Sequence, residues 1–313
     1  MPLFGKSKFD ARGKFCYITG GSQGLGRALA MSLVKQGADV VVVARDLKKL
    51  ADTEQELKSL ARPGQKISSI SADLMDVEKS EDALAQAVRQ LGGRTPDYVF
   101  LCAGTSRPKL FLDSSPDELQ SGLNNTYWVS AWTAHAASKL MASQRVTGSI
   151  IFVSSFLGYT SFAGYTSYAP GKYALRGLAD TLRQEMLMHD INVHIYMPTG
   201  ISGPGYDAEN VNKPKITKKI EEGDSLLTPE ACADILLDGV GKGYYQITND
   251  FVSDLVRLQS RGSAPSNNVL LDTIYWFIGG IGVPIWRMIT DYQVRGAKKE
   301  VKEELTASGF YTK

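Results

Sequence analysis

Three side chains that could take part in proton transfer lie in one stretch of the chain, Ser154–Lys172. Ser155 follows the apolar run Ile150–Val153, which predicts a buried strand. Tyr168 and Lys172 are four residues apart at the start of a helical pattern, and residues at this spacing share one face of a helix. The spacing therefore predicts that the phenol and the ammonium act on one ligand.

The tyrosine and lysine of this stretch have a predictable electrostatic coupling. Two charges ~4–5 Å apart at an effective dielectric of ~20 interact by roughly 3–4 kcal/mol. A lysine at this distance would bring the pKa of Tyr168 from ~10 to ~7–8, where proton transfer is efficient. A tyrosine alone is more often a core or interface residue, so this assignment depends on what the rest of the chain supplies.

A glycine-rich turn near the N-terminus could bind phosphate. Gly20, Gly24 and Gly26 connect the apolar strand Lys14–Thr19 to an amphipathic helical pattern. Backbone N–H groups and the helix N-terminus converge at such a turn, and glycines allow close approach of a pyrophosphate. The alternative is an ordinary turn from strand to helix.

Basic residues follow the next predicted strand, Val40–Ala44. In a dinucleotide fold an acid near this position binds the ribose 2′-hydroxyl, whereas an arginine suits a 2′-phosphate. Arg45, supported by Lys48 and Lys49, therefore favours NADPH over NADH. Asp46 leaves NADH open, and a solvated helix start is the other alternative.

Apolar strands alternate with amphipathic helices along most of the chain. This alternation predicts an α/β fold, a Rossmann-type doubly wound parallel sheet of about seven strands with helices on both faces. Ligands of such sheets bind beyond the carboxyl ends of the strands. Five residues at predicted strand ends could line that crevice: Thr19, Arg45, Asp73, Gly104 and Ser155.

Composition narrows the class of protein. The chain has 313 residues, 43 % of them hydrophobic and 22 % charged, which is ordinary for a packed globular protein. A net charge of +2 argues against nucleic-acid binding through a basic surface. The first fourteen residues lack the apolar stretch of a signal peptide. The cysteines and histidines have no spacing typical of disulfides or metal sites, so we predict reduced thiols and no metal: Cys16, Cys102, Cys232, His135, His189 and His194.

Together these motifs resemble the short-chain dehydrogenase/reductase family over roughly Lys14–Thr248. The family's TGxxxGxG pattern stands at Thr19–Gly26, its YxxxK pattern at Tyr168–Lys172, and Ser155 precedes the tyrosine by thirteen residues, the family's common spacing. Cys102–Gly104 corresponds to the usual Asn-Ala-Gly, with cysteine in place of asparagine.

The resemblance implies a role for each matching residue. Tyr168 would be the proton donor, Ser155 would bind the carbonyl oxygen, and Lys172 would lower the tyrosine pKa and bind the nicotinamide ribose. Asn125, preferred over Asn124, would hold a water that connects Lys172 to solvent. The implied cofactor-binding residues are Gly20, Ser22, Gln23, Gly24, Gly26, Arg45, Lys49, Asp73, Leu74, Gly104, Tyr168 and Lys172.

The YxxxK interior departs from the family pattern at Pro170 and Gly171. Proline is tolerated only in the first turn of a helix, so Tyr168 must lie very near a helix start. Gly171 either costs about 1 kcal/mol of helix propensity relative to alanine or permits close approach of the cofactor.

Within the family, the chain is most similar to the reductases that act on a long-chain keto base with NADPH at the cytosolic face of the endoplasmic reticulum membrane. A reductase of another lipid or a steroid remains open, as does a cofactor-binding scaffold without turnover. The resemblance also implies a possible homodimer or homotetramer.

The domain organisation follows from the same patterns. Residues 1–248 are predicted to form the catalytic domain, with a loop-like, mobile substrate lid at 201–227, and residues 249–313 to form a tail. In that tail Val269–Ile289 is apolar and aromatic, but its uncharged core of about fourteen residues is shorter than the roughly 20 that span a bilayer. Gly279, Gly280, Gly282 and Pro284 are expected to break a straight helix. The segment could lie on a membrane surface, span the membrane, or form a buried hairpin.

Overall fold

The computed structural model describes residues 9–311. The prediction that the N-terminus is not a signal peptide falls largely on residues 1–8, which lie outside the described part. A seven-stranded parallel sheet forms the centre of the molecule, in the order β3-β2-β1-β4-β5-β6-β7. This is the predicted doubly wound sheet, and each predicted strand is present to within two residues at either end. The strands are β1 (Phe15–Thr19), β2 (Asp39–Ala44), β3 (Ile67–Ser71), β4 (Tyr98–Leu101), β5 (Gly148–Val153), β6 (Ile191–Tyr196) and β7 (Gln246–Ile247).

Helices cover both faces of the sheet because its central strands are apolar on both sides. In β1, Phe15 and Tyr17 point into one core, and Cys16 and Ile18 point into the other. The helices are α1 (Gly24–Gln36), α2 (Leu47–Leu60), α3 (Val77–Gln90), α4 (Pro116–Leu123), α5 (Val129–Ser143), α6 (Ala169–Met186), α7 (Pro204–Val211), α8 (Lys215–Ile220), α9 (Pro229–Gly241), α10 (Phe251–Ser260), α11 (Val269–Gly296) and α12 (Lys298–Ala307).

The strand order reverses between β1 and β4, and this point sets the position of the crevice. Thr19 at the end of β1 is in register with Val43 of β2 and with Leu101 of β4. The loops that follow these three strands therefore meet at one edge of the sheet. Ligands of open α/β sheets bind at such a switch point.

The long helical region after Ser115 is interrupted. A π-helical turn, Asn124–Trp128, separates α4 from α5. Single π-helical turns within helices are frequent at functional sites. This turn carries both candidate asparagines.

The segment 201–227 is helical, and its prediction as a loop is wrong. It consists largely of α7 and α8. Its base is closed because Ser202 N–H donates to the Leu227 carbonyl at 2.9 Å and Leu227 N–H donates to the Gly200 carbonyl at 3.2 Å. Short helices that pack on neighbours do not need strong sequence periodicity, because tertiary contacts stabilise them.

The expected break in the apolar tail is also wrong, since α11 is one helix of 28 residues that continues through Pro284. The helix is supported from one side. A Cβ on Gly279 would lie 3.1 Å from the Leu255 carbonyl of α10, so the two helices approach closely. Arg257 holds Asp272 through a buried ion pair with an Nη2–Oδ1 distance of 2.7 Å. These contacts hold the N-terminal half of α11 against α10.

Candidate active site

The serine at the end of β5 faces the tyrosine at the start of α6. Ser155 accepts a hydrogen bond from Leu157 N–H at 3.1 Å, which opens a short 3-10 turn. Its hydroxyl is close enough to Tyr168 to hydrogen-bond it and lower its pKa. Ser154 instead donates to the Lys172 carbonyl at 3.0 Å. Ser155, not Ser154, is therefore the serine beside the phenol.

Tyr168 is the residue that precedes the first turn of α6, and Pro170 lies within that turn. Proline is tolerated there because the first N–H groups of a helix have no intrahelical partner. Lys172 lies one turn further, with its Nζ 5.4 Å from the centre of the Tyr168 ring and donating to the Val153 carbonyl at 3.0 Å. The two side chains thus share the predicted face.

The predicted lowering of the Tyr168 pKa is wrong. Burial raises the pKa of Tyr168, and the negative charge of Glu209 adds to that rise. Burial also lowers the pKa of Lys172 to about 8. Removing a charge from water is costly for an ammonium and for a phenolate alike. In this site desolvation is the largest influence on the pKa of both groups.

The backbone carbonyl of Asn125 lies near Lys172 and accepts from Thr105 N–H at 3.4 Å. A Cβ on Gly104 would be 3.2 Å from this carbonyl and 3.7 Å from the Lys172 ammonium, so both atoms border one small space. The Asn125 side chain points elsewhere and donates to the Ser121 carbonyl at 2.8 Å. The Asn124 carbonyl accepts from Val129 N–H, and it is Asn125 that is near the lysine.

Gly171 is explained by packing. A Cβ at this position would lie 1.8 Å from the Thr126 hydroxyl in the π-helical turn. Packing against Thr126 therefore accounts for the glycine, while close approach of a cofactor at Gly171 stays a prediction. The glycine brings α6 against the turn that holds Asn125.

The glycine turn after β1 has the geometry of a phosphate site. Gly20 has a φ of +66°, and a Cβ there would lie 2.9 Å from the Ala103 backbone. A Cβ on Gly26 would lie 2.4 Å from the Gly20 carbonyl. Gly24 has a φ of +53° and open space beside it at the first turn of α1. Residues with side chains are disfavoured at such positions, and a phosphate can approach the exposed N–H groups.

Basic side chains lie beside this turn. Lys49 donates to the Gln23 side chain at 2.8 Å, and the Ser22 carbonyl accepts from Thr53 at 3.4 Å. Arg45 is exposed at the end of β2, and among residues 9–311 no carboxylate lies within 4.0 Å of its guanidinium. An exposed guanidinium without a carboxylate partner is suited to binding a phosphate.

Of the two residues predicted to contact the adenine, Asp73 and Leu74, only Asp73 has a side chain that can reach a ligand. Asp73 accepts from Met75 N–H at 3.2 Å in the turn after β3. Leu74 is only 3 % exposed and belongs to the core, so only its backbone can reach a ligand. Ala72 N–H donates to the Ala44 carbonyl at 3.0 Å, which holds the β2 and β3 ends together.

Cys102 stands where the family usually has asparagine, and the backbone beside it makes a hydrogen bond to the neighbouring strand. Ala103 N–H donates to the Thr19 hydroxyl at 3.2 Å, which connects the ends of β1 and β4. Cys102 is partly buried, and burial raises the pKa of its thiol to about 12. The thiol is therefore neutral at physiological pH and chemically quiet.

Sequence reasoning missed a polar network beside the site. Tyr165, three residues before Tyr168, donates to Glu209 of α7 at 2.7 Å. Lys213 is buried between Glu209 and Glu221. The mixed charges of the segment were visible in the sequence, but charges in a polar segment are usually solvated.

Comparison with known proteins assigns the family. The short-chain dehydrogenase family model matches residues 14–213. The chain belongs to the short-chain dehydrogenase/reductase family. It is 57 % identical over 313 residues to a 3-ketodihydrosphingosine reductase of Cryptococcus neoformans var. neoformans serotype D, covering 99 % of this chain and 93 % of the relative. An Aspergillus fumigatus protein of the same name is 35 % identical, with 85 % and 79 % covered. A 3-dehydrosphinganine reductase of Danio rerio is 34 % identical, with 81 % and 75 % covered.

Solved structures of this family share the fold. A short-chain dehydrogenase/reductase from Burkholderia phymatum, determined in complex with NAD, superposes with a TM-score of 0.72 at 19 % identity and covers 81 % of this chain and 95 % of its own. A structure from Mycobacterium ulcerans gives a TM-score of 0.67 at 21 % identity, with 76 % and 88 % covered. The predicted fold and family are confirmed.

Proposed function

We propose that this oxidoreductase reduces 3-ketosphinganine to sphinganine with NADPH, in sphingolipid biosynthesis. The observation that carries the proposal is the convergence of Ser155, Tyr168 and Lys172 in a chain 57 % identical to a 3-ketodihydrosphingosine reductase. The identity supports the substrate, and the three side chains support the chemistry.

The catalytic roles follow from the protonation states in the site. NADPH, when bound, supplies the hydride for the 3-keto carbon. Tyr168 gives its proton to the developing alkoxide, and its raised pKa keeps the proton available for this step. Ser155 holds the carbonyl oxygen beside the phenol by a hydrogen bond. Lys172 stabilises the tyrosinate that results, and the Asn125 carbonyl binds a water that returns the proton.

The cofactor preference is argued from Arg45 and Lys49. Lys49 contacts Gln23 of the glycine turn, and Arg45 is exposed at the end of the adjacent strand β2, where a 2′-phosphate would be within reach. Charge-assisted hydrogen bonds to a phosphate contribute about 1.5–3 kcal/mol each. Arg45→Ala should therefore raise the KM for NADPH by about 10–100-fold and leave the KM for NADH within twofold. Steady-state kinetics with both cofactors measure this, and equal effects on the two would contradict the preference.

Helix α11 has an apolar face that points away from the protein. Its side chains are 49 % to 80 % exposed and recur every three or four residues, which is one stripe of a helix. In its most apolar 18-residue window only 11 % is buried. The stripe consists of Leu270, Ile274, Phe277, Ile281, Ile285, Met288 and Tyr292.

The opposite face of α11 packs on α10 and on the catalytic domain. Asp272 pairs with Arg257, Trp286 packs edge-on to Phe156 with ring centres 6.5 Å apart, and Arg287 donates to the Ser161 carbonyl at 2.9 Å. Phe156 is the neighbour of Ser155. The helix therefore separates the exposed apolar face from the catalytic segment by about one helix diameter, ~10 Å.

The exposed apolar face and the packed opposite face of α11 favour a helix that lies on the membrane surface over one that spans the membrane. Helix α11 has 28 residues, and its most apolar 18-residue window has a mean hydropathy of 1.5, so its length and composition would allow it to span a bilayer. The stretch from Asp272 to Trp286 covers ~21 Å at 1.5 Å per residue, much of the ~30 Å hydrocarbon core, and packs on α10 and on the catalytic domain, whose charged and polar groups cannot enter that core. We therefore propose residues 1–248 as the catalytic domain and 249–313 as a tail that docks on the cytosolic face of the endoplasmic reticulum membrane. A long alkyl chain could then remain in the lipid while the keto group reaches Tyr168.

One assay separates the proposed function from its alternatives. Purified full-length protein is given NADPH with 3-ketosphinganine, with a steroid ketone, or with no substrate, and absorbance of the reduced cofactor is followed. We expect substrate-dependent oxidation with 3-ketosphinganine alone. Faster turnover of the steroid would favour the alternative reductase, and cofactor binding without any turnover would favour a scaffold. Assembly into a homodimer or homotetramer stays a prediction.

A further inference from the structure

A buried network connects the segment 201–227 to the segment that precedes the catalytic tyrosine. The Lys213 side chain is 0 % exposed, and its Nζ lies 2.9 Å from Glu209 and 2.6 Å from Glu221. The Tyr165 hydroxyl contacts the same two carboxylates, with an oxygen–oxygen distance of 2.7 Å to Glu209. Three charged side chains thus converge on one phenol.

Among residues 9–311, Lys213 is the only cation that pairs with Glu209 and Glu221, and the network depends on it. Glu209 and Glu221 are only 17 % and 15 % exposed. Two carboxylates at one buried site repel each other when no cation lies between them. Burial lowers the pKa of Lys213, but the hydrogen bonds to Glu221 and Glu209 outweigh it and raise the pKa overall. The lysine is therefore charged at physiological pH.

Tyr165 transmits this arrangement to Tyr168 through the backbone. Its carbonyl accepts from Tyr168 N–H at 3.0 Å and from Ala169 N–H at 2.8 Å. These two bonds form the turn from which α6 starts. The rings of Tyr165 and Tyr168 also lie 5.9 Å apart. A shift of the Tyr165 side chain would move the residue that starts α6, which is the proposed proton donor.

Helix α8 fixes the same segment at a second point. Thr217 donates to the Ala163 carbonyl at 2.9 Å. Gly164 has a φ of +97°, and a Cβ there would lie 2.1 Å from the Thr217 hydroxyl. Residues 163–165 are therefore held between the network and α8.

We propose that Lys213 is a positioning residue for catalysis: by holding Glu209 and Glu221 against Tyr165, it fixes the turn that places Tyr168 beside Ser155. This inference rests on the proposed function, since it concerns the residue that donates the proton in that reaction. Lys213 itself does not touch the reacting atoms.

The test compares variants of the full-length protein. Lys213→Met removes the charge and keeps most of the length of the side chain. Tyr165→Phe keeps the ring and removes the hydroxyl. Lys218→Met, an exposed lysine of α8, is the matched control. For each, kcat, the KM for 3-ketosphinganine, the Kd for NADPH and the hydrogen–deuterium exchange of residues 163–172 are measured.

We expect Lys213→Met to lower kcat at least tenfold and Tyr165→Phe to lower it three- to tenfold, with the NADPH Kd within twofold of wild type. Exchange of residues 163–172 should be faster in both, and Lys218→Met should match wild type. Because the two residues act through one network, the double variant should be no slower than Lys213→Met. If Lys213→Met does not fold, the kcat and exchange of Tyr165→Phe decide.

The inference would be overturned by wild-type kcat in a folded Lys213→Met, by unchanged exchange in Tyr165→Phe, or by losses of kcat that multiply in the double variant. A rise in the KM for 3-ketosphinganine with kcat unchanged would also reject it, because that result would assign Lys213 to substrate binding. Failure of the proposed function looks different, since wild-type protein would then not turn over 3-ketosphinganine at all.

Discussion

At the scale of single residues, burial governs the chemistry of the site. It raises the pKa of Tyr168 and lowers that of Lys172, so both groups are biased toward their neutral forms. A tyrosine that keeps its proton is suited to donate it to an alkoxide, which is the direction of ketone reduction. The spacing of the residues predicted their convergence, but it carries no information on desolvation. The direction of the tyrosine shift could therefore not be read from the sequence.

The lowered pKa of Lys172 predicts a change of stability with pH. The folded value of about 8 lies below the ordinary 10.5, so the unfolded chain binds more protons between these values and stability rises across that window. The rise attributable to Lys172 is about 3 kcal/mol. In Lys172→Met the free energy of unfolding should therefore rise by about 3 kcal/mol less across this pH window than in the wild type. The substitution should also lower kcat by more than about 100-fold.

Denaturant unfolding of the wild type and of Lys172→Met at pH 7.5 and pH 10.5 gives this difference. Lys139→Met, which removes an exposed lysine, serves as the control and should keep the wild-type pH dependence. The same gain in unfolding free energy for Lys172→Met as for the wild type would mean that the lysine is not buried as described.

At the scale of elements, two glycines allow close packing between the start of α6 and the region of α4 and the π-helical turn. A Cβ on Gly171 would meet the Thr126 hydroxyl at 1.8 Å, and one on Gly122 would meet the Ser167 carbonyl at 2.2 Å. This contact sets the Asn125 carbonyl relative to Lys172. The sequence marked Gly171 as unusual but could not identify its neighbour, because Thr126 is distant along the chain. Conversely, local patterns predicted the strands well, since each strand carries its own apolar run.

Gly171→Ala and Gly177→Ala should have opposite effects on stability although both lie in α6. The first introduces a clash into a packed contact and should lower the free energy of unfolding by about 1–3 kcal/mol. The second has nothing within 4 Å of the added Cβ and should raise it by about 0.5–1 kcal/mol. Thermal unfolding of both variants measures this, and equal effects of the two changes would contradict the packing account.

At the scale of the whole molecule, α11 relates the active site to a surface. One face of the helix packs beside Phe156 and Ser161, and the other is apolar and exposed. The glycines and the proline predicted a broken helix because local propensity alone disfavours it. Tertiary contacts with α10 and with the catalytic segment, which local propensity does not include, decide otherwise. The helices of segment 201–227 were missed for the same reason.

Two charges on the exposed face should abolish membrane binding. Phe277 and Ile281 are 65 % and 71 % exposed, and burying such side chains contributes roughly 1.5–3 kcal/mol each. Phe277→Glu/Ile281→Glu should therefore move the protein to the soluble fraction and leave the reduction of a short-chain, water-soluble keto base within twofold of wild type. Met188→Glu, which changes an apolar residue that is 75 % exposed outside α11, should still pellet with membranes.

Flotation of the purified protein with vesicles that contain anionic lipid gives the fraction bound. Binding of the doubly charged variant at the wild-type level would show that this face does not dock on lipid. Retention in the membrane fraction after carbonate extraction of wild-type protein would instead identify a helix that spans the bilayer.

The account centres on Tyr168 as the proton donor in the reduction of 3-ketosphinganine, and one substitution tests this most directly. Tyr168→Phe keeps the ring and removes the hydroxyl that faces Ser155. We predict that its kcat with 3-ketosphinganine falls by about 10²–10⁴-fold, while the Kd for NADPH, measured by fluorescence titration, stays within twofold of wild type. A kcat within threefold of wild type would contradict the account.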